Sequence, residues 1–208
     1  IGFVLLCAAF VFVMTPGLAM FYGGLVRKKN VVNTMMTSIF IIGIGIVMWV
    51  LFGYSLSFAP SGNAFIGDFR WLGLEGVSLT EGYTDDASIP NMVFSAFQMM
   101  FAVITPALIT GAVAGRMKFK SIFVFTIFWS LIVYYPLAHM VWGQGGLLGA
   151  DGIGALDFAG GDVVHISSGV SALVLCILLG KRHDHEHSIY RIHNITTVVL
   201  GASILMLG

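Results

Sequence analysis

Apolar residues form long runs along the chain, separated by short polar segments. Five runs are long enough to cross a bilayer as helices, since a spanning helix needs roughly 20 mostly apolar residues. They cover about 2–26, 32–59, 91–114, 119–141 and 163–179, and a sixth run over 195–208 stops with the chain. The alternation typical of strands is absent, and an open sheet leaves backbone groups unpaired in lipid. The pattern predicts an all-α membrane protein, a polytopic bundle of five transmembrane helices plus the start of a sixth.

Composition agrees with a membrane environment. Apolar residues make up 58% of the chain and charged residues only 10%, against roughly 25% charged in soluble domains. The formal net charge of zero gives no sign of a nucleic-acid partner. Cys7 and Cys176 lie inside apolar runs, which is typical of small buried hydrophobic residues. Because Ile1 and Gly208 also lie inside apolar runs, we interpret the chain as a fragment.

The basic residues fall almost entirely on one side of the predicted membrane. Lys and Arg favour the cytoplasmic side of short loops, and nine of the ten lie in or beside the first, third and fifth connections. We therefore expect the N-terminus outside and the connections 60–90 and 142–162 on the outer side. The nine are Arg27, Lys28, Lys29, Arg116, Lys118, Lys120, Lys181, Arg182 and Arg191, whereas Arg70 shares the outer side with Asp68, Glu75, Glu81, Asp85 and Asp86.

Ionisable residues inside membrane spans are costly and usually functional. His139 lies near the outer end of the fourth span, and His165 lies inside the fifth. On a regular helix Asp162, His165 and Ser168 form one polar stripe, because they follow one another at three-residue spacing. The stripe leaves two interpretations equally open. His165 either bridges two helices as a buried side chain or lines a pore, where a neutral imidazole can relay protons.

Aromatic residues recur on one face of the third span. Phe94, Phe97 and Phe101 follow at three- and four-residue spacing, with Gln98 beside them. From the pattern alone, this face is more typical of core or lipid contact than of a binding site. Trp142 lies at a membrane interface, where Trp is common as an anchor, and its ring face can also attract a cation.

The segment 183–187 alternates His with acidic residues, a pattern that can bind a transition metal. A solvated cytoplasmic loop is the favoured interpretation. A membrane metal hydrolase would need several ligands clustered at membrane depth, and His165 with one nearby carboxylate is too few. We therefore expect no enzyme, no catalytic residue, no metal site and no cofactor.

Several motifs in order resemble the Amt/Mep/Rh ammonium transporters, and more specifically the bacterial and archaeal Amt branch. The resemblance extends over nearly the whole chain. It implies the first half of an inverted-repeat ammonium transporter fold. The motifs are TPGLAMFYGGLVRKKN over 15–30, FQMMFA over 97–102, AHMVWG over 138–143, GALDFAGG over 154–161, VVHI over 163–166 and HN over 193–194.

The resemblance implies roles for particular residues. Trp142 and Phe101 match the family's aromatic recruitment site and outer gate. Asp157 matches a buried carboxylate that organises this site, and His165 matches the first of twin pore histidines. By this resemblance ammonium is recruited at the aromatic site, loses a proton and passes an apolar pore. Potassium cannot shed a proton, which gives a physical basis for selectivity.

Three further residues are expected near the pore. Phe97 and Gln98 belong to the aromatic face of the third span. Asp162 departs from the family pattern, in which Thr or Met is common one helical turn before His165. We favour Asp162 as a cap of the fifth helix through its backbone N–H groups. The alternative is that it adds negative charge near the pore.

The resemblance also implies partners and location. Family members are homotrimers with one pore per subunit, in the plasma membrane, and a PII-type regulatory protein or a fused signalling domain is an expected partner. An ammonium sensor with little flux remains the alternative function. An Rh-type gas channel is a close variant, and Trp142 argues against it by family pattern.

Overall fold

The computed structural model describes residues 1–60, 63–150, 152–182 and 191–208. Within these ranges the long helices are α1 (Gly2–Leu25), α2 (Lys28–Phe58), α3 (Asn91–Val113), α4 (Phe119–Trp142), α5 (Gly161–Leu179) and the shorter α6 (Ile195–Leu207). The first five are long and apolar enough to cross a membrane. The same ranges contain no β-strand and only one isolated bridge, between Gly82 and Pro90. The fold class predicted from the sequence, a polytopic helix bundle, is confirmed.

Three of the helices contain a π-helical turn, which adds a residue and rotates the side chains that follow it. In α4 the π turn ends just before Pro136, whose missing N–H removes a hydrogen bond to the carbonyl four residues earlier. By contrast, α1 and α3 continue as helices through Pro16 and Pro106. The π turns span Trp49–Gly53 in α2, Ser130–Tyr134 in α4 and Gly161–Ile166 in α5. There are also two 3₁₀ turns in the described residues, one at the start of α2 (Lys28–Asn30) and one in the first connection (Leu72–Leu74).

Glycines allow α1 and α6 to pack backbone against backbone. A Cβ atom at Gly201 would lie 2.4 Å from the backbone nitrogen of Phe21. A Cβ atom at Gly24 would lie 2.6 Å from a methyl group of Val198. Small residues permit this close approach in membranes, where van der Waals contact rather than the hydrophobic effect holds helices together. The chain therefore uses glycine to position α6 along α1.

The segments 63–90, 143–150 and 152–160 cover one end of the bundle, which we call the loop-rich end. They are joined to each other, since the Leu147 backbone N–H donates to the Ala64 carbonyl at 2.9 Å. Trp71 of the first connection stacks on Tyr54 with ring centroids 5.4 Å apart. Beneath these connections the ends of α2 and α4 form an aromatic core. Its most deeply buried members are Trp49, Tyr54, Phe58, Tyr134 and Tyr135.

Candidate functional site

A cavity of about 800 Å³ runs from the loop-rich end along the inner face of α3. Its wall combines residues of α1, α3, α4, α5, α6 and both connections of the loop-rich end. Six of the seven candidate residues expected from the sequence line this one cavity, and Asp162 does not. The six are Phe97, Gln98, Phe101, Trp142, Asp157 and His165.

One face of α3 supplies the aromatic wall of the cavity. Phe97 and Phe101 are one turn apart and pack edge to face, with ring centroids 5.1 Å apart and an interplanar angle of 78°. The same face continues with Ile104 and Leu108, which also line the cavity. The wall is therefore aromatic near the loop-rich end and aliphatic further along. Gln98 is a polar exception on it.

Trp142 occupies the last turn of α4, where the helix meets the second connection. Its indole Nε1–H donates to the main-chain carbonyl of Asp157 at 3.3 Å. This hydrogen bond uses the ring edge and leaves the faces of the indole free of that contact. The half-buried ring is thus held against the segment that leads into α5 while it lines the cavity.

The Asp157 carboxylate caps the start of α5. One oxygen accepts the backbone N–H of Gly161 at 2.6 Å, and the other accepts those of Asp162 and Val163 at 2.9 and 3.0 Å. A carboxylate is favoured here because the first N–H groups of a helix have no partner within the helix, and the helix dipole places partial positive charge there. The intervening Gly160 adopts φ +80°, a backbone conformation that favours glycine.

The expectation that Asp162 caps the fifth helix is therefore wrong, because Asp162 contributes a capped N–H while Asp157 supplies the cap. Asp162 is not among the residues that line the cavity. The sequence predicted that Asp162, His165 and Ser168 share one helix face, but Asp162 and His165 both lie in the π turn that opens α5. Three-residue spacing does not put side chains on one face there, because the turn is wider than an α-helical turn.

His165 lines the cavity, whereas His139 is buried away from it. The His165 backbone N–H donates to the Gly160 carbonyl at 3.0 Å, which is a π-type bond. The ring nitrogens of His139 lie 3.2 Å and 3.0 Å from the main-chain oxygens of Ser57 and Asn63. His139 therefore joins α4 to the end of α2 and the first connection. His165 is exposed on the cavity wall rather than buried between two helices.

Tyr83 is a cavity residue that the sequence did not indicate. Its ring stacks on Phe94 with centroids 4.8 Å apart and an interplanar angle of 8°. Gln144 holds it in place, donating its backbone N–H to the phenol oxygen at 3.1 Å and its Nε2–H to the Tyr83 carbonyl at 2.9 Å. Burial raises the pKa of the Tyr83 phenol to about 12. No periodicity signals this residue, because it lies in a connection.

A second cavity, of about 530 Å³, lies on the other side of Tyr83. Glu81, Asp85 and Asp86 line it, so its wall is acidic. No cluster of three or more His, Cys, Asp or Glu side chains suited to a metal ion occurs in the part of the chain that the structure describes. The alternating His run at 183–187 lies outside the described residues.

Comparisons with known proteins agree on one family. A family model described as Ammonium Transporter Family matches residues 2–208. An ammonium transporter of Bacillus subtilis is 52% identical over 206 residues, which cover 99% of this chain and 49% of that protein. The crystal structure of Saccharomyces cerevisiae Mep2 matches with a TM-score of 0.87 and 36% identity, over 99% of this chain and 46% of that one. A structure described as a sensor Amt protein matches with a TM-score of 0.82 and 28% identity, over 98% of this chain and 51% of that one. The chain thus spans about half the length of the relatives it matches.

Proposed function

The chain belongs to the ammonium transporter family, and from this premise we propose that the complete protein moves ammonium across a membrane through the cavity beside α3. One observation carries the proposal. A single cavity brings together an indole ring, a phenyl ring and an imidazole, from Trp142, Phe101 and His165 on three different helices. An aromatic entrance, an apolar passage and one titratable group are what selective passage of ammonium needs.

The aromatic end of the cavity recruits the cation. An aromatic ring face attracts a cation that lies within about 6 Å, and each face contributes about 1–2 kcal/mol once water is excluded. Trp142 presents its ring there because its Nε1–H is bonded to the main chain of Asp157. Phe101 lies further along the wall of α3, as a gate between the recruitment site and the aliphatic part of the cavity.

Asp157 acts by ordering this site rather than by binding the ion directly. Both of its oxygens already accept backbone N–H groups of α5. A carboxylate so engaged is partly neutralised by the helix dipole. Its remaining charge attracts the cation from a distance, while its main chain positions the indole of Trp142.

Past Phe101 the cavity wall is aliphatic, with Ile104, Leu108 and Leu18. A bare cation is strongly disfavoured in such surroundings. Ammonium can leave a proton behind and continue as ammonia, whereas potassium has no proton to lose. His165 is the titratable side chain on the wall that guides ammonia or carries the proton.

The orientation and assembly belong to the same proposal. The basic residues favour a cytoplasmic position for the end opposite the loops, so the loop-rich end faces outward and the N-terminus lies outside. Glu81, Asp85 and Asp86 then face the medium, where a negative cavity raises the local concentration of cations. The protein acts as a homotrimer in the plasma membrane, with a PII-type protein as a regulatory partner at the cytoplasmic face.

Transport by the full-length protein in liposomes tests the proposal. We expect saturable uptake of labelled methylammonium that ammonium inhibits and potassium does not. Trp142→Leu should weaken inhibition by ammonium about tenfold, and His165→Ala should change the rate or the selectivity. Phe128→Leu and His193→Ala are matched controls, because both side chains are exposed and neither lines the cavity.

Normal uptake and selectivity in both Trp142→Leu and His165→Ala would show that the site is assigned wrongly. Saturable ammonium binding without uptake would identify a sensor instead.

A further inference from the structure

The segment that follows Trp142 carries a single side chain before Leu147. Its sequence over 143–146 is GQGG, and glycines leave a backbone free to adopt many conformations unless contacts fix it. α4 ends at Trp142, and Gly143 is already extended, with φ −72° and ψ 152°. The last turn of a helix lacks partners within the helix for its carbonyl groups, so its order depends on the segment that follows.

Gln144, the one side chain in this segment, fastens it to Tyr83 at two points. The Gln144 backbone N–H donates to the Tyr83 phenol oxygen at 3.1 Å, and the side-chain Nε2–H donates to the Tyr83 carbonyl at 2.9 Å. The two bonds thus reach both the side chain and the main chain of the tyrosine. We call this pair the Gln144–Tyr83 clamp. Two bonds to one partner fix the orientation of the segment as well as its position.

Tyr83 is in turn held by aromatic rings of two helices. It stacks on Phe94 of α3 with ring centroids 4.8 Å apart, and it packs edge to face with Phe58 of α2 at 5.5 Å and 88°. Tyr83 and Phe94 also line the main cavity together with Trp142 and Phe101. The clamp therefore connects the turn of α4 that carries Trp142 to the face of α3 that carries Phe101.

We infer that the Gln144–Tyr83 clamp positions the Trp142 ring for ammonium, which makes Gln144 a positioning residue of the recruitment site. This inference rests on the proposed transport of ammonium. The Trp142 ring edge is bonded to the main chain of Asp157, and the clamp holds the backbone that follows the ring. A ring attracts a cation over its face and within about 6 Å, so a ring that shifts or rotates loses affinity. Gln144 lines the second cavity and acts through Trp142 rather than on the ion.

Two substitutions each remove one bond of the clamp and keep most of the shape. Gln144→Met removes the side-chain donor, and Tyr83→Phe removes the phenol oxygen but keeps the ring. The segment should stay folded, since the Leu148 and Gly149 N–H groups still bond the Met140 carbonyl at 2.8 and 2.9 Å. The loss of one hydrogen bond should raise the half-saturating concentration of ammonium by roughly two- to tenfold. The maximal rate should change much less, because the passage beyond the recruitment site is unaltered.

The assay is inhibition of labelled methylammonium uptake by ammonium, with the full-length protein in liposomes. Ser78→Ala is the matched control. The Ser78 hydroxyl accepts the backbone N–H groups of Thr80 and Glu81 at 3.2 and 2.8 Å, and these bonds lie within the 63–90 segment. Half-saturation in Ser78→Ala should equal that of the wild type.

A double substitution shows whether the clamp acts through Trp142. In a Trp142→Leu background there is no indole to position, so Gln144→Met should cause no further rise in half-saturation. An effect through any other residue would appear there in full, because the effects of independent sites add to within about twofold.

The Trp142 ring can also be observed without transport. The full-length protein is labelled with fluorotryptophan and studied by ¹⁹F NMR in detergent, and Trp142→Leu assigns the resonance by its loss. The resonance should shift or broaden in Gln144→Met and in Tyr83→Phe, and it should stay unchanged in Ser78→Ala.

The outcomes separate the two proposals. Wild-type protein without ammonium-sensitive uptake contradicts the proposed function and, with it, this inference. Wild-type uptake with unchanged half-saturation in Gln144→Met or Tyr83→Phe, an unchanged Trp142 resonance in both, or a full further rise in the Trp142→Leu background overturns the positioning role of Gln144 alone. A rise in half-saturation at a nearly constant maximal rate, which disappears in the Trp142→Leu background, supports it.

Discussion

Replacing Asp157 with alanine removes the acceptor of three backbone N–H groups at the start of α5. These N–H groups, of Gly161, Asp162 and Val163, lie 2.6, 2.9 and 3.0 Å from the carboxylate oxygens. An N-cap side chain contributes about 0.5–2 kcal/mol relative to alanine, and its charge at the helix dipole adds about 0.3–1 kcal/mol. Because Asp157 serves three donors, we expect Asp157→Ala to destabilise the first turn of α5 by about 2–4 kcal/mol.

Asp157→Asn should cost about half as much. One carboxylate oxygen accepts two of the three N–H groups, and an amide oxygen in its place retains both. The amide NH₂ then faces the N–H of Gly161, so the third bond is lost.

Hydrogen exchange of the full-length protein, followed by mass spectrometry in detergent, measures both effects. A loss of about 2–4 kcal/mol corresponds to exchange that is about 30-fold to several hundredfold faster in the first turn of α5. Asn194→Ala is the matched control, because Asn194 caps α6 through a single bond of 3.2 Å from the Thr197 N–H. Its effect should be smaller and confined to α6. Unchanged exchange at 161–163 in Asp157→Ala, or a uniform rise in all helices, would refute the capping argument.

Two further predictions concern the packing of α6 and the loop-rich end. Gly201→Ala should lower the free energy of unfolding of the detergent-solubilised protein by about 1–3 kcal/mol, because its Cβ would lie 2.4 Å from the Phe21 backbone nitrogen. Gly43→Ala is the control and should be neutral or stabilising, since a Cβ there would have no atom within 4 Å. Equal losses of stability in the two variants would contradict the argument that Gly201 permits close helix packing. Burial raises the pKa of Tyr83 from 10.0 to about 12, so the neutral phenol stabilises the fold below pH 10 and this contribution is lost as pH rises through 12. The ultraviolet absorbance of the wild type and of Tyr83→Phe is titrated with pH, and the difference between the two curves reports Tyr83 alone. This difference should have its midpoint near pH 12, and a midpoint at pH 10 would show that the ring is not buried.

The helical bundle was predictable from the sequence because the thickness of the bilayer fixes the length of each apolar run. The largest differences lie at helix starts: α2 begins with a 3₁₀ turn at Lys28, and α5 begins with a π turn at Gly161. The fifth helix begins at Gly161 rather than at Val163, since the Asp157 carboxylate satisfies the N–H groups of this first turn.

The residues that line the cavity were only partly predictable from the sequence. The resemblance grouped Trp142, Phe101, Asp157 and His165, which composition and periodicity cannot bring together because they lie far apart in sequence. The cap of the fifth helix was not predictable from residue spacing, because Asp162 and His165 lie in a π turn rather than in a regular α-helix. Tyr83 was missed because a connection has no periodic signal.

The position of a bound substrate tests the central claim most directly. A crystal structure of the complete protein soaked in methylammonium should show the ligand in the cavity, within about 6 Å of the Trp142 ring, with the three N–H bonds to Asp157 intact. A matched crystal soaked in sodium should lack this density. A ligand bound directly by the Asp157 carboxylate with the α5 cap broken, or bound outside the cavity, would contradict the account.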